Sequence, residues 1–260
     1  MIGNNMIQTY KGDCLLVMDD IEDQSVDMVL CDLPYGTTQC KWDSIIPLDK
    51  LWEQYHRVCK PEAAIVLTSA QPFTTILISS NIDNFKYSMI YQKTYATNWM
   101  NAKRRPMPDH EDINVFYRKQ PTYNPQMVHV GTKTASFYGG SELYASKTEM
   151  KQSSRGGAED RYPRTTLGPY SHSKYDMPKE LGIKCHPTQK QQDLLQWLIK
   201  TYSNENDTVL DNTMGSGSTG VACIKTNRKF IGIEMSEEYS DNAEKWLEFE
   251  GSRNNLKEFI

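Results

Sequence analysis

Short apolar runs recur along the first part of the chain: Val26–Cys31, Ala63–Leu67, Tyr87–Tyr91 and Ile113–Tyr117. Each is brief, and turn-forming residues close several of them, which predicts strands. The predominantly apolar character of the first two predicts burial on both faces of a parallel sheet. Leu51–Val58 and Phe73–Ile78 fall between them and read as helices. The last third repeats the alternation. Gln191–Tyr202 reads as helix, Thr208–Leu210 as strand, Ser218–Lys225 as helix, Phe230–Ile233 as strand and Glu237–Phe249 as helix. Strands alternating with helices predict an α/β fold with a doubly wound sheet.

Between about residue 120 and Lys184 the pattern dissolves into Gly, Ser, Thr, Tyr, Pro and Lys without sustained periodicity. A loop this long inside a compact domain is either functional or ordered by a ligand.

Two motifs sit where an α/β sheet binds ligands. The stretch from Asp211 to Gly220, which includes Thr213, Gly215, Ser216 and Gly217, follows one predicted strand and opens the next helix. Glycines there permit a tight turn, and the helix start offers unpaired N–H groups. Glu234 ends the following strand, 19 residues beyond Gly215, where a carboxylate can accept bonds from ribose hydroxyls. The pair describes a nucleoside-cofactor pocket, and its G-x-G-x-x-G spacing also permits NAD. The second motif, Asp32-Leu33-Pro34-Tyr35-Gly36, closes the strand Val26–Cys31 and should project into the same crevice.

The chain has 260 residues and a net charge of −4, which taken whole speaks against a nucleic-acid partner. Divided by segment the picture reverses. Residues 1–102 carry 7 basic and 12 acidic side chains, 103–190 carry 15 and 9, and 191–260 carry 7 and 12, giving −5, +6 and −5. The basic middle includes Lys103, Arg104, Arg105, Arg155, Arg161, Arg164 and Lys174, interleaved with tyrosines. Six scattered cysteines without a C-x-x-C pair suggest neither a disulfide framework nor a zinc cluster, so no metal is expected. With no signal-like start and no membrane-length apolar run, a reducing, cytoplasmic setting is the expectation.

Asp32-Leu33-Pro34-Tyr35 resembles the D-P-P-Y catalytic motif of amino-group DNA methyltransferases, and the glycine loop resembles their S-adenosylmethionine (SAM) motif. His186-Pro187-Thr188-Gln189-Lys190 resembles the H-P-T-Q-K-P segment just upstream of that loop. The order, catalytic motif first, is similar to the circularly permuted beta group of these N6-adenine and N4-cytosine enzymes. Leu33 departs from the family's first proline, and Gln191 stands where proline is frequent.

The resemblance implies a Rossmann-like SAM-dependent methyltransferase fold with an inserted target-recognition region. Residues 1–118 would be the catalytic half, 119–184 the insertion and 185–260 the SAM-binding half. It implies that Asp32, Leu33, Pro34 and Tyr35 form the catalytic site, with Asp32 and the Leu33 carbonyl holding the target amine and Tyr35 stacking on a flipped base. SAM would be held by Asp13, His186, Thr188, Lys190, Asp211, Thr213, Gly215, Ser216, Gly217 and Glu234. Thr188 and Gln191 fit a capping box for a helix starting at Gln189. Double-stranded DNA would be the partner, gripped by the basic middle. The resemblance is also compatible with a homodimer and with a place in restriction–modification. Asp at the first catalytic position favours adenine over cytosine N4. An NAD-dependent oxidoreductase and a non-catalytic DNA-binding module are the competing classes, and both leave part of this pattern unused.

Overall fold

A computed structural model describes residues 6–36, 44–129, 160–170, 177–183 and 189–257. The chain divides into two compact units, one of residues 1–124 and 165–260 and a smaller one of 125–164. The larger unit opens with β1 (Ile7–Lys11), α1 (Cys14–Met18), β2 (Val26–Asp32), α2 (Leu48–Val58), β3 (Cys59–Ser69) and α3 (Phe73–Ser80). β4 (Phe85–Lys93) and β5 (His110–Phe116) follow. In the smaller unit β6 (Val128–His129) pairs antiparallel with β7 (Asp160–Arg161). The chain returns to the larger unit through β8 (Thr166–Tyr170), α4 (Gln192–Tyr202), β9 (Thr208–Asp211), α5 (Ser218–Lys225), β10 (Lys229–Glu234) and α6 (Glu237–Lys257).

The central sheet has eight strands in the order β1-β10-β9-β2-β3-β5-β4-β8. β1, β10, β9, β2 and β3 are mutually parallel, β5 runs against β3 and β4, and β8 is parallel to β4. Both faces are covered, as the predominantly apolar runs require. Along β2, Met28 and Leu30 join the core under α4, α5 and α6, whereas Val29 and Cys31 join the core under α1, α2 and α3. β3 repeats the alternation, with Ala64 and Val66 on one face and Ala63, Ile65 and Leu67 on the other.

The expected α/β architecture is present, and three local readings change. α4 begins at Gln192, not Gln189, and Gln191 is its N-cap without a side-chain capping bond, while Thr188, the other member of the expected capping box, lies outside the described residues. The Gln191 side chain accepts the Tyr91 hydroxyl, and Gln189 accepts the Ser216 hydroxyl at 2.9 Å. β1 and β8 join the sheet although no periodic signal marks them, since β1 is a half-exposed edge strand and β8 contains Gly168-Pro169. α6 continues past Phe249 to Lys257. Among the described residues, no helix is long and apolar enough to cross a membrane.

Candidate active site

β9 leads through α5 to β10 on one side of the sheet, while β2 leads through α2 to β3 on the other. β9 and β2 are neighbours, so the winding direction reverses between them and a crevice opens beyond their carboxyl ends. Asp211 ends β9 and Asp32 ends β2. Both motifs therefore meet at the point where an open α/β sheet binds its ligands. Because β5 runs backwards, its first residues, including Glu111, come to this same edge.

Asp32 is held by side chains from several segments. Thr68 stands directly opposite it on β3 and donates its hydroxyl to Oδ1, as does Tyr35 at 2.6 Å. Lys190 Nζ donates to Oδ2 at 2.5 Å from 158 residues away. Burial alone would raise the Asp32 carboxyl, but the Lys190 charge and these donors hold it below the ordinary carboxylate value. Asp32 is thus an acceptor-only anion. Lys190 is itself only 8% exposed at its side chain and lies 3.2 Å from Glu111 Oε2, while Lys93 donates to Glu111 Oε1 at 2.5 Å. Burial by itself would lower the Lys190 ammonium, but Asp32 and Glu111 keep it raised.

Tyr35 is fixed at both ends. Its ring stacks on Phe73 with centroids 5.5 Å apart, and burial together with the Asp32 charge pushes its hydroxyl far above the usual tyrosine range. It donates a hydrogen bond and keeps its proton. Leu33 is buried in the core among α2 and α3 residues, so its side chain anchors the turn apolarly where a proline would constrain it by its ring.

The other half of the crevice is built from main chain. Glu234 Oε2 accepts Gly215 N–H at 2.9 Å and Oε1 accepts Ser236 N–H at 2.7 Å. Burial raises its carboxyl and these N–H groups oppose the rise. Gly215 and Gly217 take φ of +53° and +80°, conformations that L side chains rarely adopt. At Gly217 a Cβ would also come within 3.0 Å of the Ala243 Cβ, so glycine lets α6 close on the loop. Thr213 ties the halves together, donating its hydroxyl to the Asp32 carbonyl at 3.0 Å and its N–H to Asp211 Oδ1 at 3.2 Å. Asp211 is buried, and desolvation pushes its carboxyl up to about 6 against bonds from Thr219, Thr213 and Cys31.

Asp13 N-caps α1, accepting Leu15 N–H at 2.9 Å, and Gly12 N–H donates to the Glu234 carbonyl, which brings Asp13 to the Glu234 end of the crevice. Ser216 is buried against Gln189. Lys190, expected at the cofactor, makes contacts with Asp32 and Glu111. Lys103, Arg104 and Arg105 are exposed on the loop between β4 and β5, which leaves the sheet at the same edge as Asp32. Trp99 and Met100, on that loop, are each 76% exposed. Arg161 and Arg164 are exposed in the smaller unit. His186, Thr188, Arg155 and Lys174 lie outside the described residues. Thr68, Lys93 and Glu111 carry no motif in the sequence, and only the strand register reveals them.

The profile of the DNA methylase family, which spans N6- and N4-acting enzymes, matches residues 26–245, enclosing both Asp32 and Glu234. The chain belongs to this DNA methylase family. It is 28% identical over 258 residues to the DNA adenine methyltransferase YhdJ of Escherichia coli, covering 91% of this chain and 81% of that protein. It is 27% identical over 251 residues to the type II methyltransferase M.HpaI of Haemophilus parainfluenzae, covering 92% and 73%. Its fold matches a crystal structure of the M1.HpyAVI–SAM complex, with a TM-score of 0.62, 24% identity and coverage of 92% and 99%. It also matches the PvuII cytosine-N4-specific DNA methyltransferase, with a TM-score of 0.66, 17% identity and coverage of 96% and 91%.

Proposed function

We propose that the protein is a SAM-dependent methyltransferase that modifies the exocyclic N6 of adenine at a specific site in duplex DNA, with the target base flipped out of the helix. The observation that carries this reading is Asp32, an anion beside Tyr35 at the switch point, one strand away from the glycine loop.

The donor set fits SAM. Each Glu234 oxygen accepts one backbone N–H and retains capacity for a ribose hydroxyl. Asp13 lies at that same end, with Asp211, Thr213, Ser216 and the Gly215–Gly217 backbone toward the methionine part; His186 and Thr188 would complete the pocket. When bound, SAM supplies an electrophilic methyl group on a sulfonium sulfur, which leaves as a neutral thioether.

An exocyclic amine is a poor nucleophile because its lone pair is delocalised into the ring. Asp32 accepts one N–H and the Leu33 carbonyl accepts the other, favouring the tetrahedral nitrogen whose lone pair can attack. Pro34 fixes the turn that aims this carbonyl. Tyr35, backed by Phe73, stacks on the extruded base, offsetting part of a flipping cost of a few kcal/mol. Alignment of amine and methyl then supplies much of the acceleration.

We read the chain order, with Asp32 before the glycine loop, as the permuted arrangement. We assign sequence reading to the segment within 119–184. Lys103, Arg104, Arg105, Arg161 and Arg164, with Arg155 and Lys174, would neutralise phosphates, and the exposed Trp99 and Met100 would face the duplex. Adenine is favoured by Asp at position 32 and by the likeness to an adenine methyltransferase. Cytosine N4 is the second reading, favoured by the likeness in fold to a cytosine-N4-specific enzyme. Incubating the protein with duplex DNA and isotope-labelled SAM, then analysing nucleosides by mass spectrometry, decides between them. We expect labelled N6-methyladenine. N4-methylcytosine as sole product moves the assignment to the second reading, and binding of NAD without SAM overturns both.

A further inference from the structure

Asp32 Oδ1 already accepts two hydroxyls, so an incoming amine must use Oδ2, the atom that Lys190 occupies. The Lys190 ammonium is almost wholly buried, and stranding it without a counter-charge would be costly. Among the described residues, the other carboxylate within its reach is Glu111. Oε1 of that residue is taken by Lys93, but Oε2 is buried and accepts no well-formed hydrogen bond among the described residues, although Lys190 Nζ is only 3.2 Å away. A buried carboxylate oxygen without a bonded donor is uncommon in a folded protein.

We propose that Glu111 is a positioning residue: its Oε2 receives the Lys190 ammonium when the target amine displaces it from Asp32 Oδ2. This rests on the reading of Asp32 as the amine acceptor. The ammonium, ion-paired with both carboxylates at rest, gives up Asp32 and closes on Glu111, so it never loses a counter-charge. No bond is made or broken and no proton changes owner. Among the described residues, the charged and titratable groups bearing on Lys190 are Asp32 from β2, Tyr91 from β4 and Glu111 from β5, with Tyr35 bonded to Asp32 and Lys93 paired with Glu111.

The test is Glu111→Gln, which keeps the shape of the side chain and removes its charge. Single-turnover methyl transfer to duplex DNA should fall roughly 100-fold at pH 7.5, with SAM affinity and melting temperature serving as checks on the fold. The diagnostic readout is the pH profile. With no anion to receive it, Lys190 clears Oδ2 readily only when neutral, so transfer by Glu111→Gln should climb steadily from pH 7 to 9.5 while the wild type stays flat. In a Lys190→Gln background, Glu111→Gln should cost little more, because the ammonium to be received is gone. Equal losses in both backgrounds, a pH-independent loss or unchanged transfer each overturn the proposal. If Glu111→Gln does not fold, Glu111→Asp, which retains the charge but withdraws it by one carbon, should show a smaller loss with a shallower rise, and unchanged transfer there overturns the proposal equally. A wild type that transfers no methyl group overturns the proposed function itself, an outcome distinct from an active wild type with an equally active variant.

Discussion

Asp32 and Glu234 each end a parallel strand at the same edge of one sheet, yet the protein holds them in opposite ways. Asp32 is satisfied by side chains, one of them an ammonium, and its carboxyl is held low. Glu234 is satisfied by backbone N–H groups two residues on and at the glycine loop, and burial raises it. Side-chain partners can move, so on the proposed function the Asp32 end can exchange donors as an amine arrives. Backbone partners are fixed by the fold, so the Glu234 end offers a rigid acceptor for neutral hydroxyls. On the proposed function, one end serves the chemistry and the other the grip on the cofactor.

Breaking the anionic end should have the largest effect. Asp32→Ala should lower methyl transfer by about 10³-fold while SAM binding is largely retained, as read by single-turnover assay. Breaking the rigid end should do the reverse: Glu234→Ala should weaken SAM roughly 10- to 100-fold by equilibrium titration, the value of two lost bonds to hydroxyls. Neutralising Lys103, Arg104 and Arg105 together should lower the slope of log affinity against log salt by roughly 2 to 3 for any duplex sequence, if all three meet phosphates.

The smallest effect concerns stability. Asp32 and Asp211 shift in opposite directions, so they respond to acid oppositely. The Asp32 contribution is present above the ordinary carboxylate value and is lost as pH falls through its lowered value. Asp211, pushed up to about 6, takes a proton in the folded state before the unfolded chain does, so its contribution grows as pH falls from above 6 toward 4. Thermal melts of Asp211→Asn should therefore lose part of that gain, a difference of about 1–3 kcal/mol between the two pH limits.

The two ends also differ in how far the sequence reveals them. Glu234 and Gly215 are 19 residues apart and joined by one helix and one strand, so local spacing suffices to pair them. The partners of Asp32 depend on tertiary register. Thr68 is found because β3 pairs with β2, and Glu111 because β5 runs backwards and delivers its start to the carboxyl edge. Neither fact leaves a trace in composition or period. Lys190 stands in a recognisable motif, but its reach across 158 residues to Asp32 leaves no sequence signal. Among the strands, β1 escaped because an edge strand needs no apolar run, and β8 because glycine and proline mask it.

The division between the two ends is tested most directly by titrating SAM into Asp32→Ala and Glu234→Ala side by side. The expected result is an affinity within about threefold of wild type for Asp32→Ala and a loss of at least about tenfold for Glu234→Ala. Equal losses in the two variants, or a larger loss at Asp32, would contradict the assignment of chemistry to one strand end and cofactor grip to the other.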